Sequence, residues 1–428
     1  ISPMIAGMTG SFRSRGQSMA HMRRHVLALL APLLAVAAAC SGGSPPAATP
    51  PTPTPTPTAT LSPVDRLISF QSEFPDWPDT DFSRATVDPR EIPRGCPARD
   101  CIPPLDAEGA VAIPAPRGGR ARFAPAETLE YADRLPVAVV TVDGITKGYP
   151  LHILTWHEVV NDRFGERPVV VTFCPLCNTA IAFDRRVGGQ VLDFGVSGNL
   201  RHSDLVMWDR QTESWWQQAT GEGIVGAYAG QRLEALPASI VPWGEFQRAF
   251  PQAPALTEDT GFDRAYGINP YEFYDATSQP FLFQGTPDPR LPALERVVAL
   301  DRAGRGLAVP MEALAAKKVA NVEAGGVPVA VFWMPGAASA LDQREIAQSR
   351  DIGAAAAYEA QLGGRTLRFA PGPDPGTFLD DATGSTWDIF GRAIAGPLAG
   401  QELAPVLHTT EFWFAWAAFH PGTAIWRP

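Results

Sequence analysis

The chain has 428 residues, which is enough for two ordinary domains or one large one. Its formal net charge is −10, and the only charged residues among positions 1–39 are four arginines, so residues 40–428 carry −10 − 4 = −14. The chain has no basic cluster to offset this acidity. Such a composition argues against nucleic acid, or an anionic lipid surface, as a partner.

Residues 22–39 have the pattern of a secretory signal peptide. Two arginines are followed by an apolar stretch that ends in small residues before Cys40, and the stretch is too short to span a membrane. Residues 1–21 are then interpreted as an extension from a start codon placed too early. The small residues before Cys40 also resemble a lipobox, which predicts that Cys40 carries a lipid; secretion without a lipid is the alternative.

Residues 40–64 form a Pro/Thr-rich tract behind the predicted lipidation site. Such a tract cannot bury a core and prefers extended conformations, so we interpret it as a disordered linker between the membrane and the folded body. The sequence therefore predicts an extracytoplasmic lipoprotein whose only contact with the membrane is its anchor. Nothing in the sequence identifies a protein partner, a small ligand or an organic cofactor.

Four further cysteines lie in the body of the chain as two close pairs, Cys96 with Cys101 and Cys174 with Cys177. Outside the cytoplasm cysteines are usually oxidised or metal-bound, and four cysteines allow three pairings. The spacing favours a local disulfide between Cys96 and Cys101. The alternative is that this pair joins the other two cysteines in a four-sulfur centre.

The first half of the body is predicted to consist mostly of strands. The expected elements are a strand over 137–142, a helix over 151–162 after Pro150, and apolar strands over 168–173 and 179–184. An Asp-Gly turn follows the first strand, and a short helix that begins near Trp243 ends the unit.

The chain contains this unit twice. Positions 150–180 align without a gap with 310–340, and ten of the 31 positions are identical. Further on, Asp209, Thr212, Ser214 and Trp215 align, to within a residue, with Asp381, Thr383, Ser385 and Trp387. We therefore predict a mainly β (α+β) fold of two tandem, sequence-related repeats, each with one or two short helices, in a two-lobed body of pseudo-twofold symmetry. The predicted lobes are 65–272 and 273–428.

The two copies differ where chemistry is expected. The replacements are His157 by Lys317, Glu158 by Lys318, Cys174 by Met334 and Cys177 by Ala337. Scaffold positions persist while these side chains do not, which favours one functional copy and one degenerate copy. Trp216 has only Asp388 opposite it in the alignment, which makes it a candidate for the wall of a pocket.

The C-P-L-C motif at 174–177 has three physical interpretations. A redox dithiol needs a thiolate of lowered pKa, usually at a helix N-terminus, but residues 178–189 alternate like a strand. A disulfide between Cys174 and Cys177 would brace the turn, although the two-residue gap makes a strained ring. In a metal site the turn would direct two sulfurs toward one point, and thiolates with imidazole suit zinc or copper.

His157 is the best candidate for a third metal ligand, because it is lost from the second copy together with both cysteines. His202 and Asp204, in the stretch S-G-N-L-R-H-S-D, are the candidates for a fourth ligand. Glu158 is a candidate for holding the imidazole or acting as a catalytic base. Cys174 is the candidate nucleophile if the motif is redox-active.

Three blocks of the sequence resemble a known bacterial and archaeal family, the domain of unknown function numbered 3179. These blocks are W-H-E at 156–158, C-P-L-C at 174–177 and S-G-N-L at 197–200, and the resemblance extends over roughly residues 80–428. It implies no particular reaction, because the family has none established.

The resemblance also bears on the individual cysteines. In the family glycine is common where Cys96 and Cys101 stand, which implies a lineage-specific disulfide rather than a shared ligand role. The second cysteine of C-P-L-C is not universal there, which implies that Cys174 and His157 are the stronger pair of ligands.

The leading hypothesis is a lipoprotein that holds one zinc or copper ion through His157, Cys174 and Cys177, with His202 or Asp204 as a further ligand. One alternative is a thiol–disulfide oxidoreductase that uses the C-P-L-C motif. The other is a ligand-binding or structural surface protein, not an enzyme, in which the cysteines form disulfides. The sequence assigns no reaction, so whether the protein is an enzyme stays open.

Overall fold

The structure, a computed structural model, describes residues 62–428. The predicted start extension, the signal peptide, Cys40 and nearly all of the predicted linker lie outside the described residues. Residues 62–428 belong to one compact unit. No helix in this range is long and apolar enough to cross a membrane.

Strands predominate over helices, as the sequence predicts. The α-helices of the described residues are α1 (Pro63–Glu73), α2 (Leu151–His157), α3 (Trp243–Ala249), α4 (Met311–Lys317) and α5 (Trp413–Phe419). Single 3-10 turns occur at Pro89–Glu91, Ala126–Thr128, Tyr274–Ala276 and Ile346–Gln348. All five α-helices are short, so the fold depends on its sheets.

The strands fall into two groups, one before and one after residue 273. The first group is β1 (Leu105–Ala107), β2 (Gly119–Ala121), β3 (Phe123–Pro125), β4 (Pro136–Val142), β5 (Ile145–Pro150), β6 (Val159–Phe164), β7 (Arg167–Cys174), β8 (Thr179–Asp184), β9 (Arg186–Val187), β10 (Gln190–Val191), β11 (Phe194–Arg201), β12 (Asp204–Asp209), β13 (Trp215–Gln217), β14 (Glu222–Val225), β15 (Ala235–Leu236), β16 (Ala238–Pro242) and β17 (Pro254–Leu256). The second group is β18 (Arg296–Arg302), β19 (Arg305–Pro310), β20 (Val319–Ala324), β21 (Val327–Met334), β22 (Ala354–Glu359), β23 (Gln361–Leu362), β24 (Arg365–Thr366), β25 (Phe369–Pro371), β26 (Phe378–Asp380), β27 (Thr386–Trp387), β28 (Ala393–Ala395), β29 (Thr409–Phe412) and β30 (Ala424–Ile425).

Each sheet takes its strands from one of these groups. The first group forms sheets in the orders β15-β8-β7-β6-β1-β2, β16-β4-β5-β17-β3 and β11-β12-β13-β14. The second forms β29-β18-β19-β30, β20-β21-β22 and β25-β26-β27-β28, and each group has one two-stranded ribbon, β10-β9 and β23-β24. Most pairings are antiparallel hairpins, which accounts for the short connections.

The order of elements recurs along the chain. β4, β5, α2, β6 and β7 have counterparts 160 residues later in β18, β19, α4, β20 and β21. In the first half, Asp143 and Gly144 connect β4 to β5 with φ values of 51° and 79°, which is the backbone of a tight type I′ hairpin turn. The two-lobed, pseudo-twofold arrangement with a boundary at 272/273 stays a prediction.

The helix predicted over 151–162 is shorter in the structure. α2 ends at His157, because Glu158 takes a φ of 57° and its N–H bonds back to the preceding helical turn. The chain then enters β6 at Val159 and Val160, whose β-branched side chains favour a strand over a helix. The predicted strands on either side of the cysteine turn are confirmed as β7 and β8, and the short helix at Trp243 is confirmed as α3.

The two largest hydrophobic cores are shared between the two strand groups, whereas the smaller cores each lie within one half. The largest core packs the first group against Leu341, Phe412 and Phe414. A second core packs Trp243 against Phe332 and other side chains of the second group. The sheets are therefore separate in sequence, whereas the side chains that stabilise them are not.

The structure makes a different tryptophan of the first half equivalent to Trp387 than the sequence alignment does. Trp216 Nε1 donates to Asp209 at 2.8 Å, and Trp387 Nε1 donates to Asp380 at 2.9 Å. The counterpart of Trp387 is thus Trp216 rather than Trp215. Because Trp216 is fully buried and bonded in this way, it belongs to the core and does not line a pocket.

Candidate metal centre

The two cysteines of the C-P-L-C motif lie at a hairpin turn. β7 ends at Cys174, which pairs with Thr179 at the start of β8, and Asn178 closes the turn with a φ of 55°. Both thiols are free and buried, with 2% and 0% of the residue surfaces exposed. The motif therefore lies between two strands and not at the start of a helix.

Asp204 approaches the thiols from a second hairpin. β11 and β12 are joined by His202 and Ser203, which both have positive φ, 52° and 67°. Such a turn normally contains asparagine and glycine, so its use of histidine and serine stores backbone strain beside Asp204. The Ser203 carbonyl accepts from Cys174 Sγ at 3.8 Å and from Cys177 Sγ at 3.5 Å.

The two carboxylate oxygens of Asp204 have different partners. Oδ2 accepts from Gln217 Nε2 at 2.6 Å and from the Ala219 N–H at 2.9 Å, whereas Oδ1 has no partner apart from the Cys174 and Cys177 thiols that bond to this carboxylate. Asp204 is completely buried.

Cys174, Cys177 and Asp204 form one group of potential ligands, with one donor atom from each within 4.8 Å of the other two. Two thiolates and a carboxylate are a donor set that zinc accepts. Of the residues proposed from sequence, the structure thus brings both cysteines and Asp204 together.

Two further acidic side chains flank this group, Glu158 and Glu411, and both are buried. Burial raises the pKa of Glu158 to about 8, and the nearby Asp204 carboxylate adds to the effect. Burial likewise raises the pKa of Glu411 to about 8, again with a contribution from Asp204. Burial also raises the pKa of Asp204 itself to about 6, and raises the pKa of both thiols.

Acceptor atoms around the group lack donors. Gln217 Oε1 and Gln218 Oε1 are buried without a hydrogen-bond partner. The amide nitrogens of both glutamines are in use, on Asp204 and on Thr172. One buried donor nearby, Asn178 Nδ2, is also unpartnered. The charged group that acts on both Glu158 and Glu411 is the Asp204 carboxylate, so the centre gathers three acids and two thiols in one buried region.

Three tyrosines between β17 and β18 contact the sequence motifs. The Tyr271 hydroxyl donates to Glu158 Oε1 at 3.3 Å, and the Tyr274 hydroxyl donates to the Leu176 carbonyl inside C-P-L-C at 3.0 Å. Tyr266 contacts His157, with 2.6 Å between its hydroxyl and Nε2. The motif residues thus share one covering segment.

His157 is not a member of the group. Its Nδ1 lies 2.7 Å from the Pro103 carbonyl, which can only accept, so Nδ1 carries the proton and Nε2 accepts from Tyr266. Both ring nitrogens are therefore in use. Burial lowers the pKa of His157 to about 4, so the ring is neutral.

The other candidates lie apart from the thiols. His202 packs against Phe283 and Phe419, with Nε2 4.0 Å from Glu91. Cys96 and Cys101 form a disulfide bond with Cα atoms 6.5 Å apart, so they supply no further sulfur ligands.

Glu411 and the tyrosines are the residues that the sequence reasoning missed. Glu411 precedes Trp413 by two residues, and Trp413 aligns with Trp243, so Glu411 stands where the first half has Val241. A carboxylate in place of a buried valine was a visible signal. The tyrosines gave no comparable signal, because they lie outside the repeated positions.

A family model described as "Protein of unknown function (DUF3179)" matches residues 99–423, which is most of the chain. The chain belongs to the DUF3179 family. No curated protein and no solved structure matches it. The DUF3179 match includes the whole ligand group and both flanking glutamates, whereas Cys96 lies just before it.

Proposed function

We propose that this protein binds one zinc ion through Cys174, Cys177 and Asp204. The observation that carries the proposal is a buried set of two thiols and a carboxylate whose donor atoms converge, with no donor to Asp204 Oδ1 apart from the thiols themselves. An isolated buried charge is costly, and buried acids are normally paired with a cation or a metal. A divalent cation would balance the charge that these groups carry once they are deprotonated.

The donor set favours zinc over copper. Copper(I) selects soft thiolate and thioether ligands, while Asp204, Glu158 and Glu411 offer hard oxygens. Zinc accepts sulfur and carboxylate oxygen together. Three protein ligands leave a fourth position for water or for an oxygen of either glutamate.

His157 has no place in this ligand set, because both of its nitrogens have other partners. Its loss from the second copy then has another cause. His157, Glu158 and the C-P-L-C turn all bond to tyrosines of one covering segment. These shared contacts offer a common reason, other than a metal, for His157, Glu158 and the cysteines to differ together between the two copies.

A thiol–disulfide enzyme fits the site less well. Such an enzyme needs an accessible thiolate of lowered pKa. Here burial raises the pKa of both thiols, and the motif joins two strands. The interpretation as a disulfide-braced binding protein also loses support, since Cys174 and Cys177 are free in the structure.

We further propose that the zinc-binding body is held outside the cytoplasm by a lipid on Cys40. The support for this is the signal-like stretch 22–39 and the Pro/Thr-rich tract behind it. A membrane fraction that retains Cys40→Ala as firmly as the natural chain would contradict the anchor.

The test of the zinc site is elemental analysis of the purified full chain and of four variants. We expect one zinc per chain. Cys174→Ser and Asp204→Asn should weaken zinc binding by more than the ~10–100-fold typical of outer-shell changes. His157→Gln should retain the ion, which separates this ligand set from one that contains the histidine.

The matched control is the double variant Cys96→Ala, Cys101→Ala, which removes two sulfurs away from the site and should also retain zinc. A natural chain that takes up no zinc from a buffered solution would refute the proposal. Full zinc affinity in Asp204→Asn would refute the ligand assignment.

A further inference from the structure

Residues 266–283, here called the tyrosine strap, connect the two halves of the chain across the candidate metal centre. Tyr271 and Tyr274 bond to Glu158 and to the cysteine turn at Leu176. The strap also contacts the second hairpin, because Ser203 Oγ donates to the Phe281 carbonyl. It therefore bridges the two turns that carry the proposed ligands.

The other side of the strap is bonded to the second half of the chain. The Asn269 N–H donates to the Arg344 carbonyl at 2.8 Å, and the Phe273 N–H donates to the Asp342 carbonyl at 2.6 Å. The buried carboxylate of Asp275 accepts from Arg296 Nη2 at 2.9 Å. The backbone anchors thus lie on the second half, while the tyrosine hydroxyls bond to the first.

Two positions on the strap have an unusual backbone. Phe273 and Leu282 have φ values of 62° and 54°, although bulky residues rarely adopt the left-handed region. Both are also exposed, at 50% and 36%. Their side chains project into solvent, so a conformational change at Leu282 would not disrupt the core, while the Phe273 N–H stays bonded to the Asp342 carbonyl.

We propose that the tyrosine strap gates the metal centre: Tyr271 and Tyr274 detach from the first half to admit the ion, while the strap stays attached to the second half. The identity of the admitted ion rests on the proposed zinc function. The covering of the thiols does not depend on it. Closed, the strap leaves Cys174 and Cys177 almost without solvent-accessible surface.

The hydrogen bonds set the size of the effect. Tyr274 makes two contacts through its hydroxyl, to the Leu176 carbonyl at 3.0 Å and from the Phe281 N–H at 3.3 Å. A net hydrogen bond changes an opening equilibrium by about fivefold. Removing the hydroxyls of Tyr271 and Tyr274 together should therefore raise the open fraction by about 30-fold.

The experiment measures alkylation of the two thiols by iodoacetamide in the metal-free full chain, with labelled peptides identified by mass spectrometry. Tyr271→Phe with Tyr274→Phe should react about 30-fold faster than the natural chain. The control is Tyr358→Phe, which removes an equally buried hydroxyl bonded to a backbone carbonyl at 2.9 Å in the second half. It should leave the rate unchanged.

A rate within twofold of the natural chain in the double variant would overturn the gate. Equal acceleration in Tyr358→Phe would also overturn it, because the thiols would then be reached by general opening. Failure of the zinc proposal is seen separately, as absence of bound zinc with the gate behaviour intact.

Hydrogen exchange on the natural chain tests the same gate if the double variant does not fold. The Phe281 carbonyl loses its contact with Ser203 when the strap detaches, so the Phe281 N–H should exchange faster than the Phe273 N–H, which is anchored on the second half. Exchange of both amides only through global unfolding would overturn the proposal.

Discussion

Glu411→Gln should stabilise the metal-free protein at neutral and alkaline pH. Burial raises the pKa of Glu411 from 4.5 to about 8, so the folded state binds a proton that the unfolded state releases. The stability that this group contributes is present below pH 4.5 and is lost as the pH rises through 8. Each unit of pKa difference corresponds to ~1.4 kcal/mol, so the loss at pH 7 is about 3 kcal/mol and approaches about 5 kcal/mol above pH 8.

Glutamine keeps the acceptor for the Thr409 hydroxyl but has no charge to bury. The assay is urea unfolding of chelator-treated protein between pH 4.5 and 8.5. Glu411→Gln and the natural chain should be equally stable at pH 4.5 and should diverge as the pH rises. Glu323→Gln, at an exposed position on β20, is the matched control and should follow the natural chain.

A variant that is less stable than the natural chain at pH 8 would refute this electrostatic reasoning. So would a constant difference across the whole pH range, because it would point to packing instead of charge. Zinc added to the natural chain at pH 8 should restore stability, since binding to the folded state alone adds to its free energy of unfolding.

Three further outcomes follow from other parts of the structure. Because burial lowers the pKa of His157 from 6.5 to about 4, the natural chain should lose up to ~3 kcal/mol as the pH falls through this interval, and His157→Gln should flatten that part of a urea-unfolding profile. Trp216→Phe and Trp387→Phe each remove an equivalent bond to a buried aspartate, so both should lower the free energy of unfolding, by a similar ~1–3 kcal/mol; a large effect in only one half would contradict their equivalence. Replacing Cys96 and Cys101 by alanine should destabilise the fold by ~2 kcal/mol, measured by urea unfolding, with zinc content unchanged.

Local features of the fold could be predicted from sequence because local patterns determine them. The valine-rich run before the cysteine turn and the alternating apolar run after it specified β7 and β8, and the Asp-Gly pair specified the turn after β4. The end of α2 was missed because the apolar spacing continues past His157. The helix ends because Glu158 adopts a positive φ, and glutamate is not a residue type from which a positive φ is predicted.

The site was harder to predict because it is assembled from distant segments. The C-P-L-C spacing predicted two ligands and the stretch 197–204 offered His202 or Asp204 as another; the structure brings Cys174, Cys177 and Asp204 together, and metal binding stays a prediction. Loss of His157 together with the cysteines suggested a shared metal, but residues that bind a common cover are lost together for the same reason. Only the positions of Tyr266 and Tyr274 distinguish these explanations, and no local pattern encodes them.

The second half of the chain has Met334 and Ala337 where the first half has the two cysteines, but it contributes to the same centre in other ways. It supplies Glu411 and holds the tyrosine strap through the Asp342 carbonyl. Restoring the two cysteines with Met334→Cys and Ala337→Cys should therefore not create a second zinc site. The alignment that places Trp216 opposite Trp387 also places Asp204 opposite Pro375, which has no carboxylate.

Elemental analysis of the Met334→Cys, Ala337→Cys variant should thus give one zinc per chain, as in the natural protein. The matched comparison is the same variant with Asp204→Asn, which should give none. A second, tightly bound zinc would mean that two thiols on this scaffold are sufficient for zinc binding. The buried carboxylate and the strap would then not explain the proposed zinc site of the first half. Retention of one zinc after Asp204→Asn would lead to the same conclusion, because the ion would be held without the carboxylate.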